Sequence, residues 1–144
     1  MRKLILAIST VALAVTAAYA ADPIADRRAI MKERGNLVGG LAKMAKGETA
    51  FDAAVVSATL KKLEANEQKV DIDVLFPPGS DKGDTKAAPR IWEDMAGFKA
   101  ANDKYQVVLQ EVVAAPAQDV AALGAQINTL GGGCGGCHQS FRLK

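Results

Sequence analysis

The residues best suited to chemistry are Cys134, Cys137 and His138, in the run Cys134-Gly135-Gly136-Cys137-His138. C-x-x-C-H is the attachment pattern for c-type haem. On a helix, positions i, i+3 and i+4 share a face, so two thiols three residues apart can meet two vinyl groups along one edge of a macrocycle. The imidazole that follows projects toward the iron as an axial ligand. Gly135 and Gly136 leave room for backbone to lie against a flat ligand, and Gly131-Gly132-Gly133 extend that thin patch. Each Gly costs a helix about 1 kcal/mol relative to Ala. That cost makes sense where a flat cofactor takes the space in which side chains would otherwise pack.

Other chemistries use the same residue types. A secreted protein with two Cys often forms one disulfide, but Cys residues three apart close a tight ring that is usually catalytic. A thioredoxin-like motif sits at a helix start after a strand, within a βαβ pattern; here the motif lies late in the last helical stretch. Structural zinc takes four ligands, and His138 is the sole His of the chain. One covalent haem c is therefore the expected cofactor, bound through Cys134 and Cys137 with His138 as axial ligand. A haem-free thiol–disulfide protein using the same two Cys is the alternative from a different class. No second His, no acid–base pair at motif spacing and no nucleotide-binding loop is visible, so no enzymatic turnover is expected.

The rest of the chain reads as the scaffold for that motif. Asp22-Pro23 is a helix start, an Asp N-cap with Pro in the first helical position. Ile30, Leu37, Leu41 and Met44 then fall on one face, and Gly47 stops the helix. Thr49-Ala50-Phe51-Asp52 resembles a capping box that opens a second helix. Phe51, Val55, Val56, Leu60 and Leu63 supply its apolar side, and Lys61, Lys62, Glu64 and Glu67 its wet side. Residues Asp71 to Pro89 are dense in turn formers and read as one long surface loop, with Val74-Leu75-Phe76 as an apolar patch pinning it to the scaffold. A third helix begins after Pro89, with Ile91, Met95, Phe98, Asn102, Tyr105, Leu109 and Val112 stepping by fours and threes. A fourth begins after Pro116, with Val120, Leu123, Ile127, Leu130, Cys134, Cys137 and Phe141 in the same rhythm. Two such seams imply helices packed at a shallow angle. The fold expected is all-α, an antiparallel four-helix bundle. Within it Trp92 reads as core or loop anchor, Phe141 as core beside the haem, and Asn102 as a polar residue that sets helix register.

Residues 1–20 stand apart from this domain. Met1-Arg2-Lys3 is a short positive start, Leu4 to Ala18 is almost wholly apolar, and Ala18-Tyr19-Ala20 is an A-x-A site. That is the pattern of a secretory signal peptide, cleaved after Ala20 to leave a domain over 21–144. An apolar run of about fifteen residues falls short of the roughly twenty that span a bilayer, so the mature chain is expected in the periplasm and not in the membrane. The net charge of +2 belongs to this leader. Without Arg2 and Lys3, the 18 basic residues of the chain become 16, equal to the 16 acidic ones. A neutral domain gives no support for a nucleic-acid surface.

Arg27 with Met31 four residues on, Lys46-Gly47, Phe51-Asp52, Leu75-Phe76-Pro77, Ile91-Trp92, Phe98-Lys99 and the stretch Gly132 to Arg142 run through most of this domain. In this layout the chain resembles the class II c-type cytochromes: cytochrome c′ and its low-spin relatives of the cytochrome c-556 kind. The late position of C-x-x-C-H separates it from small class I cytochromes, and Met31, Met44 and Met95 all precede the motif. The resemblance implies a haem among the four helices, with His138 proximal and Met31 facing the other side of the iron. In the low-spin relatives a helix-one Met ligates, which gives a closed site suited to electron transfer. In cytochrome c′ that position is usually a non-ligating apolar residue, and the five-coordinate iron binds nitric oxide or carbon monoxide. Met31 as a flexible core filler fits the second case. The expected function is a periplasmic single-haem electron carrier that exchanges electrons with redox partner proteins, with the gas-binding cytochrome c′ as the alternative. Arg27 and Arg28, one turn before Met31, and Arg142, four residues past His138, are candidates to meet a haem propionate or the haem edge. A homodimer built on the first two helices is also what the family suggests.

Overall fold

A computed structural model describes residues 22–144; the expected leader lies outside the described residues. The chain forms α1 (Pro23–Ala45), α2 (Ala53–Glu67), the one-turn α3 (Ile72–Leu75) and α4 (Arg90–Glu93), α5 (Met95–Ala114) and α6 (Val120–Phe141). The four long helices make a closed ring in which α1 packs on α2, α2 on α5, α5 on α6 and α6 on α1. This is the antiparallel four-helix bundle that the two seams imply. At 1.5 Å per residue, the long helices span about 22 to 35 Å.

An Asp carboxylate caps five of the six helices. Asp22 accepts from the backbone N–H of Ile24 and Ala25, at 3.0 and 3.1 Å, with Pro23 in the first turn as expected. The second helix starts later than the capping-box reading placed it. Asp52, not Thr49, is its N-cap, accepting from Ala54 and Val55 N–H at 2.8 and 3.1 Å. The third helix is likewise divided. A single turn follows Pro89, and then Asp94 leaves helical geometry and caps α5 through Gly97 N–H at 2.9 Å. Gly at 97 is what allows that approach, because a Cβ there would collide with the Asp94 carboxylate. α6 begins at Val120 behind Asp119, three residues beyond the start that Pro116 suggested. Gly47, at φ 76°, ends α1 in the left-handed conformation that Gly tolerates best.

The buried residues divide into two clusters. Leu41, Met44, Val56, Leu60, Leu63, Tyr105, Leu109, Val112, Leu123 and Leu130 fill the middle of the bundle. Ile30, Leu75, Phe76, Ile91, Phe98 and Phe141 form a second core under the long connection between α2 and α5. Within it Phe76, Phe98 and Phe141 stack edge to face, with centroids 4.8 and 5.2 Å apart. Two seam positions depart from expectation. Val55 is exposed beside buried Val56, and Val120 is exposed at the first turn of its helix.

The connection 68–94 is not the structureless loop that its turn formers suggest. It contains α3 and buries Leu75 and Phe76 while Val74 faces solvent, so two of the three patch residues pin it. Trp92 holds it too, its indole N–H donating to the carbonyls of Phe76 and Pro77 at 3.1 and 3.0 Å. At its far end Ala88 N–H donates to Phe141 carbonyl, and Leu143 N–H to Lys86 carbonyl. The loop is thereby tied to the end of the helix that carries the C-x-x-C-H motif.

Candidate haem site

Cys134, Cys137 and His138 lie on the last turns of α6, both thiols free and partly buried. Cys134 packs against the central core and Cys137 against the second, so the motif straddles the boundary between them. Beside the second core opens a cavity of about 580 Å³, lined by Cys137 but not by Cys134. Its lining places Met31 of α1 together with Cys137 and His138 of α6. Phe76, Ile91, Phe98 and Phe141 supply apolar walls. Met31 is 42% exposed into this region although it is apolar, while Ile30 beside it is buried in the core. Helix α1 thus offers the thioether, and not the isoleucine, to the cavity that His138 lines.

The chemistry of the donor set fits a covalent haem better than the alternatives. Burial pushes both thiols above their ordinary value. A thiol–disulfide catalyst needs the reverse, a thiol made acidic by nearby cations or a helix start. No group of three or more His, Cys, Asp or Glu among the described residues is arranged to hold a metal ion, so structural zinc lacks its ligand set. Partial burial of the ring, together with Arg142 and Arg34, lowers the pKa of His138. These surroundings favour the neutral imidazole, the form that ligates a metal. Beside the motif, a Cβ at Gly131, Gly132, Gly135 or Gly136 would meet nothing within 4 Å, whereas at Gly133 it would touch the Tyr105 ring at 3.4 Å. The Gly run leaves this helix slim where a planar group has to pass. The Tyr105 hydroxyl, on the same side as Cys134, is buried without a hydrogen-bond partner among the described residues.

The charged rim is one-sided. Arg27, Arg28, Lys32, Lys86 and Arg142 all line the cavity, and no carboxylate does. Such a lining suits an apolar ligand that carries acidic substituents. The two arginines singled out in the sequence differ in what they touch. Arg27 is buried and spends its terminal nitrogens on the loop: one donates to Leu75 carbonyl (3.1 Å) and Ser80 Oγ (3.0 Å), the other to Ser80 carbonyl (2.5 Å) and Thr85 Oγ1 (2.7 Å). Its guanidinium also lies over the rings of Phe76 and Trp92. Arg142 is exposed at the C-cap of α6, and Arg28 pairs with Asp84 at the surface.

One set of polar residues was not visible as a site. Glu67, read as part of the wet face of α2, is buried, and it pairs with a buried Arg34. Arg34 Nε donates to Asn66 Oδ1 at 3.0 Å, while Asn102 Nδ2 and Gln106 Nε2 each donate to Glu67 Oε1 at 3.1 Å. The expected register role of Asn102 thus has a partner. The missed signal was positional. Arg34 fills the slot between Ile30 and Leu37 in the seam of α1, and Glu67 the slot after Val56, Leu60 and Leu63 in that of α2.

Comparison with known proteins bears on the same residues. The family model described as Cytochrome C′ matches residues 22–142. Cytochrome c-556 of Agrobacterium fabrum (strain C58) is 39% identical over 132 residues, spanning 92% of this chain and 88% of its own. A solved structure of cytochrome c′ from Rhodopseudomonas palustris superposes with a TM-score of 0.77 at 38% identity, covering 87% of this chain and 98% of that one. A nitric oxide complex of a cytochrome c′ variant from Alcaligenes xylosoxidans superposes with a TM-score of 0.73 at 28% identity, covering 85% of this chain and 94% of that one.

Proposed function

This chain belongs to the cytochrome c′ family of class II c-type cytochromes, and on that premise we propose that it is a low-spin, single-haem electron carrier. Haem c is its covalently attached cofactor. In this reading Cys134 and Cys137 carry the thioether bonds, His138 is the proximal ligand and Met31 the sixth. The haem supplies a one-electron ferric–ferrous couple, and the chain supplies its surroundings. The observation that carries the reading is that Met31 and His138, from helices packed side by side, line one cavity. Thioether ligation raises the potential of a haem and closes its open position, which suits transfer of electrons over binding of small ligands.

The remaining residues take supporting roles. Arg27 positions the loop that forms one wall, and Arg142 is the better placed of the two to meet a propionate directly. Phe76, Phe98 and Phe141 exclude water from the face between them. A lining with one imidazole and no carboxylate offers no acid–base pair for substrate turnover, which supports a carrier rather than an enzyme. The leader-like residues 1–20 support export to the periplasm, and no described helix is long and apolar enough to cross a membrane.

The structural likeness to a nitric oxide complex favours one second reading, a five-coordinate site in which Met31 packs without ligating. Carbon monoxide added to the reduced protein separates the two. A Met31-ligated iron resists the gas, and Met31→Leu makes the site bind it readily. Equal binding by both proteins sinks the low-spin reading.

A further inference from the structure

Arg34 and Glu67 are the two ends of an ion pair built into the bundle, with side chains only 9% and 8% exposed. Such a pair is weak evidence of a stabilising device, because well-packed apolar residues in its place are often neutral or better for stability. Its neighbours in the seams are Ile30, Leu37, Val56, Leu60 and Leu63, all of which pack without charge. The cluster is nevertheless fully furnished. Arg34 donates to Asn66 and Glu67, Asn66 donates to Ile30 carbonyl (3.1 Å) and Glu33 (2.8 Å), and Glu67 accepts from Asn102 and Gln106 of α5. Three side chains, Asn66, Asn102 and Gln106, thus hold one guanidinium and one carboxylate in a fixed orientation.

The cationic end of the pair touches the core cluster on which Cys134 packs. Arg34 lies three residues past Met31 on α1, and its guanidinium carbon sits 4.7 Å from the centroid of the Tyr105 ring. Tyr105 also lies beside Gly133, where a Cβ would meet its ring at 3.4 Å, and Cys134 packs on the same cluster. Glu67 instead turns to Asn102 and Gln106, between α2 and α5. We propose that Arg34 is a potential-setting residue: the positive pole of a buried, oriented ion pair that favours the ferrous over the ferric state of the haem held at Cys134, Cys137 and His138. Adding one electron to ferric iron removes one positive charge, so a fixed cation nearby is repelled less by the reduced product. On this proposal the opposite charge of Glu67 does not cancel the effect, because it is Arg34 that lies over the Tyr105 ring while Glu67 is engaged by Asn102 and Gln106, in a medium that screens poorly. The inference rests on haem attachment at the motif, and it holds whether or not Met31 ligates.

The test is a redox titration of haem-loaded protein, comparing wild type with Arg34→Gln and Glu67→Gln. Absence of covalent haem in the wild type would sink the attachment reading, and is seen before any potential is measured. Each variant is used once its ferric spectrum matches wild type, since a change of axial ligand would shift the potential by itself. At fixed ambient potential, Arg34→Gln is expected to move the ferrous-to-ferric ratio about tenfold toward ferric, or about 59 mV for one electron. Glu67→Gln is expected to move it in the opposite sense. A purely structural role would move both in the same sense. A shift toward ferric in Arg34→Gln and toward ferrous in Glu67→Gln, each threefold or more, supports the proposal; shifts of the same sign, reversed shifts, or shifts smaller than threefold overturn it. Where a single variant fails to load haem or alters the spectrum, the double variant Arg34→Met/Glu67→Met leaves no unpaired buried ion. Its ratio is expected to move threefold or more toward ferric, and a smaller move or one toward ferrous overturns the proposal.

Discussion

Cys134 and Cys137 are separated by one turn of α6, and each is packed against a different core cluster. Losing one thiol therefore leaves the other still positioned to bond, while losing both leaves His138 alone at the motif. Cys134→Ala/Cys137→Ala should abolish haem-peroxidase staining on a denaturing gel, and either single variant should retain a band. Staining in the double variant would contradict attachment at these residues. Much of this was legible from residue types, since C-x-x-C-H followed by a basic residue four positions on needs only helical spacing to be read. The polar cluster behind it was not. Asn102 reads as a register-setting residue, but Arg34 and Glu67 look like ordinary helix residues, and a charged side chain is assigned to solvent unless its seam position is weighed. Their burial depends on three helices bringing them together, which no local pattern encodes.

At the scale of elements, the long helices were legible because Asp caps and steps of three and four are local properties. Where the reading slipped, a nearer cap won. Asp52 displaced Thr49, Asp94 split the helix after Pro89, and Asp119 delayed α6. The connection between α2 and α5 was the hardest element to read, since its order comes from distant partners. Arg27 is the main one, making four hydrogen bonds to residues 48 to 58 positions away. Removing that guanidinium leaves the buried Leu75 carbonyl and Ser80 hydroxyl without their donor. Arg27→Met is expected to cost about 3 kcal/mol, lowering the Tm of the haem-loaded protein by roughly 10 °C. Limited proteolysis should then cut first within residues 76–89. An unchanged Tm would show that Trp92 and the backbone ties to Lys86 and Phe141 hold the loop by themselves.

For the whole molecule, the two cores divide the C-x-x-C-H motif between them, and the cavity beside it is walled by the second core. The central core makes a titration of the folded state informative. Burial pushes the Tyr105 phenol up to about 12, against a small opposing pull from Arg34. The folded state favours the neutral phenol. Its contribution to stability is complete below the unfolded value of about 10, and is lost as the pH rises toward 12. In protein prepared without residues 1–20, Tyr105 is the one Tyr of the two in the sequence. Ultraviolet difference spectra should show no tyrosinate at pH 10.5 in folded protein and clear ionisation in denaturant; ionisation near pH 10 in both would place the ring in solvent. Whether the α1 thioether completes the iron site decides between electron transfer and gas binding. The most direct measurement is electron paramagnetic resonance of the ferric protein, compared between wild type and Met31→Leu. A low-spin signal in the wild type that becomes high-spin in the variant is the predicted result, whereas a high-spin signal common to both would contradict Met31 ligation and make the protein a five-coordinate cytochrome c′.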